Sequence, residues 1–134
     1  MIKLILIILA LTTSNAVSKK IERTVDGDTF VIADPRPPRE FLQNKGRLVG
    51  IDTPESMKQF AKCQKEIELG LKAKEFSQKF VEQNNIEIIY LGLDKYGRYL
   101  ISLRKDNKDL AEELVKVGLA VFYDGGTKVK DWCH

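Results

Sequence analysis

Phe60, Cys63 and Ile67, then Leu69, Ala73, Phe76 and Phe80, recur at three- and four-residue steps, a pattern that leaves few folds open. It predicts one long amphipathic helix running to about Gln83. The apolar stripe of such a helix must be buried against another apolar surface. Short runs elsewhere supply one: Ile21 to Val25, Phe30 to Ala33, Arg47 to Ile51, Ile86 to Leu91 and Tyr99 to Leu103 read as five strands. A chain of 134 residues has room for one such domain. A long helix covering a small sheet, in an α+β domain, is the expected architecture.

The connections refine it. Asp26-Gly27-Asp28-Thr29 is turn chemistry between the first two runs, so these form a hairpin. Asp34-Pro35-Arg36-Pro37-Pro38-Arg39 cannot join a central strand, because three prolines remove amide donors and fix backbone angles. Pro54 pushes Thr53 toward extended geometry and stops a helix from starting earlier, which leaves Asp52-Thr53-Pro54-Glu55 at a strand end. Asp94-Lys95-Tyr96-Gly97-Arg98 turns a second hairpin. Asp109 stands three residues before Glu112, a capping box, and Gly118 sits where a C-cap glycine belongs, so Leu110 to Val117 is a short helix. Leu119 to Tyr123 is a candidate return to the sheet. This order of elements fits a five-stranded Greek-key β-barrel of the oligonucleotide-binding (OB) type, with the long and the short helix packed on it.

Met1-Ile2-Lys3, the apolar run Leu4 to Leu11 and the small and polar Thr12 to Ala16 have the order of a signal peptide. Cleavage is expected after Ala16, leaving a domain over residues 17–134. The apolar run is roughly half the ~20 residues that a membrane span requires. Cys63 and Cys133 are an even number of cysteines in a chain expected to reach an oxidising compartment, which fits one disulfide, with two buried free thiols as the alternative. Charge discriminates less. Lys+Arg 22 against Asp+Glu 19 gives +3, and loss of Lys3 with the leader leaves 21 − 19 = +2, a balance that suits a polyanionic partner and many ordinary proteins alike.

Chemistry concentrates in the turns. Asp26 and Asp28 alternate on a hairpin, so both carboxylates face one side, and Asp52 adds a third from another strand end. Oxygen donors of this kind suit Ca²⁺ or Mg²⁺ rather than zinc. An EF-hand is excluded, since Phe30 and Val31 follow where spaced acids and a glycine are required. Taken singly, each aspartate is an ordinary turn-former. Arg47, Asp52, Glu55 and Arg98 form a second pattern, in which a carboxylate activates water while planar guanidinium forks neutralise a phosphate. Strict strand alternation puts Arg47 and Asp52 on opposite faces, so their convergence requires a bulge or an early strand end, which Gly50 can supply.

Three segments, Val25-Asp26-Gly27-Asp28-Thr29, Arg47-Leu48-Val49-Gly50-Ile51-Asp52-Thr53-Pro54-Glu55 and Asp94-Lys95-Tyr96-Gly97-Arg98, resemble in order and separation the signature segments of the staphylococcal (micrococcal) nuclease or thermonuclease family. The likeness covers about Ile21 to Tyr123. It implies the OB fold and Ca²⁺-dependent hydrolysis of DNA and RNA, single strands favoured, with 3′-phosphate and 5′-hydroxyl ends left. By motif, Asp28, Asp52 and the Thr53 carbonyl would bind calcium, and Asp26 would hold water beside the metal. Glu55 would be general base or water orienter, and Arg47 and Arg98 would bind the phosphate and stabilise the transition state. Lys95 and Tyr96 are candidate contacts to a phosphate and a base, although a hairpin tyrosine also serves plain packing.

The chain also departs from the best-known family member. Its proline-rich loop is its own, it ends at Asp131-Trp132-Cys133-His134 without the family's long final helix, and the tyrosines after the last strand do not align. A pairing of Cys63 with Cys133 resembles the smaller exported bacterial members, where a covalent tie would replace that helix. The lone terminal His134 receives no role. The resulting expectation is a monomeric enzyme, periplasmic or secreted, with no stable membrane association after leader cleavage. Two other readings compete: a binding module that holds single strands without cutting, and a structural calcium-binding domain. The first would not require Glu55 with both arginines. The second leaves Arg47 and Arg98 unexplained, since cations beside a cation site raise the energy unless an anion bridges them.

Overall fold

A computed structural model describes residues 20–33 and 44–134. The expected signal peptide over residues 1–16 and the proline-rich loop over residues 34–39 lie outside the described residues. Strand β1 (Ile21–Asp26) turns through Gly27 and Asp28 into β2 (Thr29–Ile32), which pairs antiparallel with β3 (Lys45–Leu48). Then come β4 (Ile51–Asp52), the long helix α1 (Gln64–Val81), and the hairpin of β5 (Glu87–Leu93) with β6 (Tyr99–Lys105). The chain finishes with β7 (Lys108–Asp109), α2 (Leu110–Lys116) and β8 (Val121–Phe122).

The five expected strands make one sheet in the order β1-β2-β3-β6-β5, with β3 parallel to β6 and β7 paired to β6. This crossover agrees with the expected α+β, OB-type arrangement. Among the described residues no pairing closes β5 onto β1, and β4 with β8 forms a separate two-stranded sheet. Phe30, Ile32, Leu48, Ile101, Leu103, Leu110 and Leu114 are fully buried between sheet and helices. Each such side chain contributes at most about 1.5–3 kcal/mol of transfer free energy. The capping signals for α2 hold. Asp109 Oδ1 accepts from Glu112 N at 3.2 Å, and Gly118, at φ +79°, lets Leu119 N donate to Leu114 O at 2.9 Å. No helix among the described residues is long and apolar enough to cross a membrane.

Two elements differ from the sequence reading. The strand expected over Arg47 to Ile51 is broken: β3 ends at Leu48, and Gly50 takes φ +83° before β4 begins. That break is the early strand end that Arg47 and Asp52 require. A Cβ at Gly50 would meet nothing within 4 Å, so Gly50→Ala isolates the backbone strain. It is expected to destabilise the fold by about 1 kcal/mol, read as a lower urea midpoint at unchanged slope.

Helix α1, in turn, begins four residues later than its apolar pattern. Cys63 is extended at φ −160° and caps the helix, its Sγ accepting from Glu66 N at 3.4 Å while Glu66 Oε2 accepts from Lys62 N at 3.2 Å. Phe60, outside the helix, is 61% exposed. The buried row is Glu66, Gly70, Ala73, Ser77 and Phe80, smaller and more polar than the expected stripe. The reason is close approach to two turns. A Cβ on Gly70 would lie 2.5 Å from the backbone carbonyl of Glu55, and one on Gly27 would lie 2.7 Å from Ala73 Cβ. Ser77 Oγ donates to Gly27 O at 2.6 Å. The helix thus presses on both the β1–β2 turn and the segment after β4. Cys63 is bonded to Cys133, 70 residues away, with 6.0 Å between their Cα atoms.

Candidate active site

The β1–β2 turn and the end of β4 interlock through their polar atoms. Asp28, 7% exposed, accepts from Thr29 Oγ1 at 2.9 Å on one oxygen and from Thr53 N at 3.2 Å on the other. Asp26 Oδ1 accepts a short hydrogen bond from Ser56 Oγ. Both aspartates therefore grip the segment that carries Asp52, Thr53 and Glu55. Asp52 is 6% exposed, and its Oδ1 is a buried oxygen with no aligned hydrogen-bond donor.

Arg47 bridges this acidic pair. Its Nη2 lies 3.5 Å from Asp28 Oδ2 and 3.5 Å from Asp52 Oδ1, while Nη1 donates to the carbonyls of Leu48 at 3.0 Å and Ile51 at 3.1 Å. Those two carbonyls flank the Gly50 break, so the turn that redirects the strand also orients the guanidinium. The Tyr123 ring lies beneath, with Arg47 Cζ 5.8 Å from its centroid. Glu55 is a half-buried carboxyl whose pKa is raised, by desolvation first and then by Asp26, with Lys128 opposing and Asp28 and Asp52 adding.

Arg98 is arranged differently. Its Nε donates to Asp94 Oδ2 at 2.6 Å, and Asp94 Oδ1 also accepts from the amides of Tyr96 at 2.8 Å and Arg98 at 3.0 Å. Burial would raise the Asp94 carboxyl, but these bonds outweigh it and hold it below its ordinary value. No ion pair joins Arg98 to Asp28, Asp52 or Glu55 among the described residues. The register pairs Arg47 with Leu100, two residues beyond Arg98, which lies just before β6 begins. Lys95 Nζ and Arg98 Cζ lie 5.2 and 5.4 Å from the ring centroid of Tyr96, which is 60% exposed.

The structure thus brings Asp26, Asp28, Arg47, Asp52, Thr53 and Glu55 together, and keeps Lys95, Tyr96 and Arg98 as a neighbouring cationic hairpin. Sequence reasoning missed three residues. Ser56 locks Asp26, Tyr123 underlies Arg47, and Lys128 sets its ammonium 2.8 Å from Asp52 Oδ1 and 3.8 Å from Glu55 Oε1. Burial would lower the Lys128 ammonium, but contact with Asp52, then Glu55 and Asp28, raises it. The 2.8 Å separation is off the directions of an aligned hydrogen bond, so the contact acts as an ion pair at Asp52 Oδ1. The one available signal for Lys128 was the terminal Cys133, whose bridge draws the tail over the site.

The family described as staphylococcal nuclease homologue matches residues 45–131. This chain belongs to the staphylococcal nuclease family. Thermonuclease from Staphylococcus hyicus is 29% identical over 112 residues, 82% of this chain and 62% of the relative. Thermonuclease from Staphylococcus intermedius is 30% identical over 102 residues, 75% of this chain and 56% of the relative. A protein of Schizosaccharomyces pombe named as a probable endonuclease is 34% identical over 90 residues, 62% of this chain and 38% of the relative. The chain therefore spans between about two fifths and three fifths of the lengths of these nuclease-family relatives.

Proposed function

We propose that the protein is an exported, calcium-dependent nuclease that hydrolyses phosphodiester bonds of DNA and RNA and leaves 3′-phosphate and 5′-hydroxyl ends. The observation that carries this reading is the buried Asp28–Asp52 pair bridged by Arg47, with the half-buried Glu55 beside it. The names of the staphylococcal relatives agree with it.

Calcium fits the residues present. The donors are hard oxygens, Asp52 Oδ1 is buried without an aligned donor, and Glu55 feels three neighbouring carboxylates. Among the described residues no three acidic, His or Cys side chains converge closely enough to hold a metal alone. We assign the ion to Asp28, Asp52 and the Thr53 carbonyl, with water and substrate completing its shell. Bound there, the ion would neutralise charge on the scissile phosphate. Asp26, fixed by Ser56, would orient water at the edge of the site.

Glu55 accepts the proton of the attacking water, and burial with the neighbouring carboxylates makes it a stronger base than a free glutamate. Arg47 already spans the acid pair and turns its fork to the phosphate when substrate enters. Arg98 keeps its Nε on Asp94 and directs its Nη groups to the equatorial oxygens. The water oxygen bonds to phosphorus as the P–O5′ bond breaks on the opposite side, and the leaving 5′-oxygen takes its proton from solvent. Tyr96 with Lys95 offers a ring and a charge for a neighbouring nucleotide of a single strand. The disulfide suits an oxidising destination, periplasmic or secreted, which the leader-like residues 1–16 also support. We propose a monomer.

Cleavage of plasmid and of labelled single strands is expected to depend on Ca²⁺ with half-maximal activity at about 0.1–1 mM, the range of weak extracellular sites. Chelator should abolish it and Mg²⁺ should support little turnover. Full activity in chelator, or equal activity in both metals, would overturn the calcium reading. Tight binding of single strands with no cutting in calcium would replace the enzyme by a binding module.

A further inference from the structure

Lys128 stands at the Asp52 carboxylate, where a metal cation would stand. Its Nζ is 2.8 Å from Asp52 Oδ1 and 3.8 Å from Glu55 Oε1, and it lies 5.8 Å from the Tyr123 ring centroid. The strap that carries it is fixed at both ends. At one end β8 pairs with β4, and Tyr123 N donates to Gly50 O at 2.9 Å. At the other, Trp132 is buried and Cys133 is bonded to Cys63 at the start of α1. Between them, Tyr123 Oη donates to Gly126 O at 2.5 Å and Gly126 N donates to Asp124 Oδ1 at 2.8 Å. Lys128 is five residues from Tyr123 and five from Cys133. Each side therefore allows about 17 Å of travel even when fully extended. An ammonium on such a short, doubly anchored strap stays at high effective concentration near the carboxylates.

We propose that Lys128 is a tethered counter-cation that competes with the divalent metal for the Asp52 carboxylate, so that calcium binds only as the ammonium leaves. The inference rests on the calcium reading above. A divalent ion on Asp52 and an ammonium 2.8 Å from the same carboxylate repel strongly, whereas the lysine stem is flexible and its side chain 48% exposed. A cleft of about 430 Å³, bounded by Gly50, Asp52, Tyr123, Thr127, Lys128 and Lys130, gives the released side chain somewhere to go. Without calcium the ammonium offsets the mutual repulsion of Asp52 and Glu55. With calcium it is redundant. The device sets the metal affinity of the site by a residue that is not a ligand.

The test is calorimetric titration of the disulfide-bonded full chain with CaCl₂, without nucleic acid and at one ionic strength. Lys128→Met keeps the apolar stem and removes the charge, and it should bind calcium about tenfold tighter, a magnitude reduced from the bare Coulomb value because the group is half exposed. Lys130→Met is the control for net charge: Lys130 borders the same cleft, but among the described residues it makes no ion pair with Asp52 or Glu55, its Nζ lying 5.2 Å from the Trp132 ring centroid, and its loss should change affinity less than about twofold. In chelator, Lys128→Met should melt below the unsubstituted protein, and saturating calcium should narrow the gap. Opening the tether with the Cys63→Ser/Cys133→Ser pair should tighten calcium binding when Lys128 is present and leave it unchanged in the Lys128→Met background. Equal or weaker calcium binding by Lys128→Met overturns the proposal, as does equal tightening by Lys130→Met. A bridge effect of the same size in both backgrounds overturns the tether. If none of the proteins binds calcium, the metal reading itself fails and this inference falls with it.

Discussion

Glu55→Gln is expected to lower turnover by about 100-fold or more while leaving oligonucleotide binding in calcium largely intact. The substitution keeps the shape and removes the proton acceptor. It also removes a negative charge from a crowded site, since Asp26, Asp28 and Asp52 all act on the Glu55 carboxyl. Glutamine therefore should not disturb the fold, and relief of that repulsion should leave stability unchanged or slightly higher. The measurement is single-turnover cleavage beside equilibrium binding, both at one salt concentration, because phosphate contacts weaken steeply with salt. Cleavage near the unsubstituted rate would remove Glu55 from the mechanism. A parallel loss of binding would instead assign it to holding substrate.

The second large effect is on stability. Opening the Cys63–Cys133 bridge releases a loop with a sequence separation of 70 residues. On the chain-entropy account this should lower stability by about 4 kcal/mol, less any relief of native strain. For a domain of this size the melting temperature should fall by roughly 10–20 °C. Cys63→Ser/Cys133→Ser is the cleaner probe than reductant alone, because Cys63 is the N-cap of α1 and serine is the better capping residue. Any loss then belongs to the crosslink and not to the cap. A melting temperature within a few degrees of the parent would mean that β8 and Trp132 hold the tail without the bridge.

Much of the site was legible because its residues sit in turns, where residue type and backbone geometry are tied. Asp26, Gly27 and Asp28 could be read from hairpin chemistry, and Asp52 to Glu55 from the proline that ends the strand. The odd spacing of Arg47 and Asp52 even pointed to the Gly50 break, which appears as φ +83°. Helix α1 was legible as a helix but not in its buried face. Periodicity weighs apolar residues, whereas the face that meets the turns is chosen for small size, so Gly70 and Ser77 are buried and Phe60 is exposed. Lys128 carried no local signal at all, since its position depends on a bridge to a residue 70 places from Cys133. Contacts set by such a closure have no footprint in any short window of sequence.

The contact of α1 with the two turns has a consequence for how the chain tolerates change. Gly70 and Ala73 act as a gauge block: their missing bulk sets the spacing between the turn bearing Asp28 and the segment bearing Glu55. Added volume there would not open a void or unfold a strand, but would pry the acids apart by the width of a methyl group. Variation along one face of a helix with no chemistry of its own would then be selected as though it were variation in the catalytic groups.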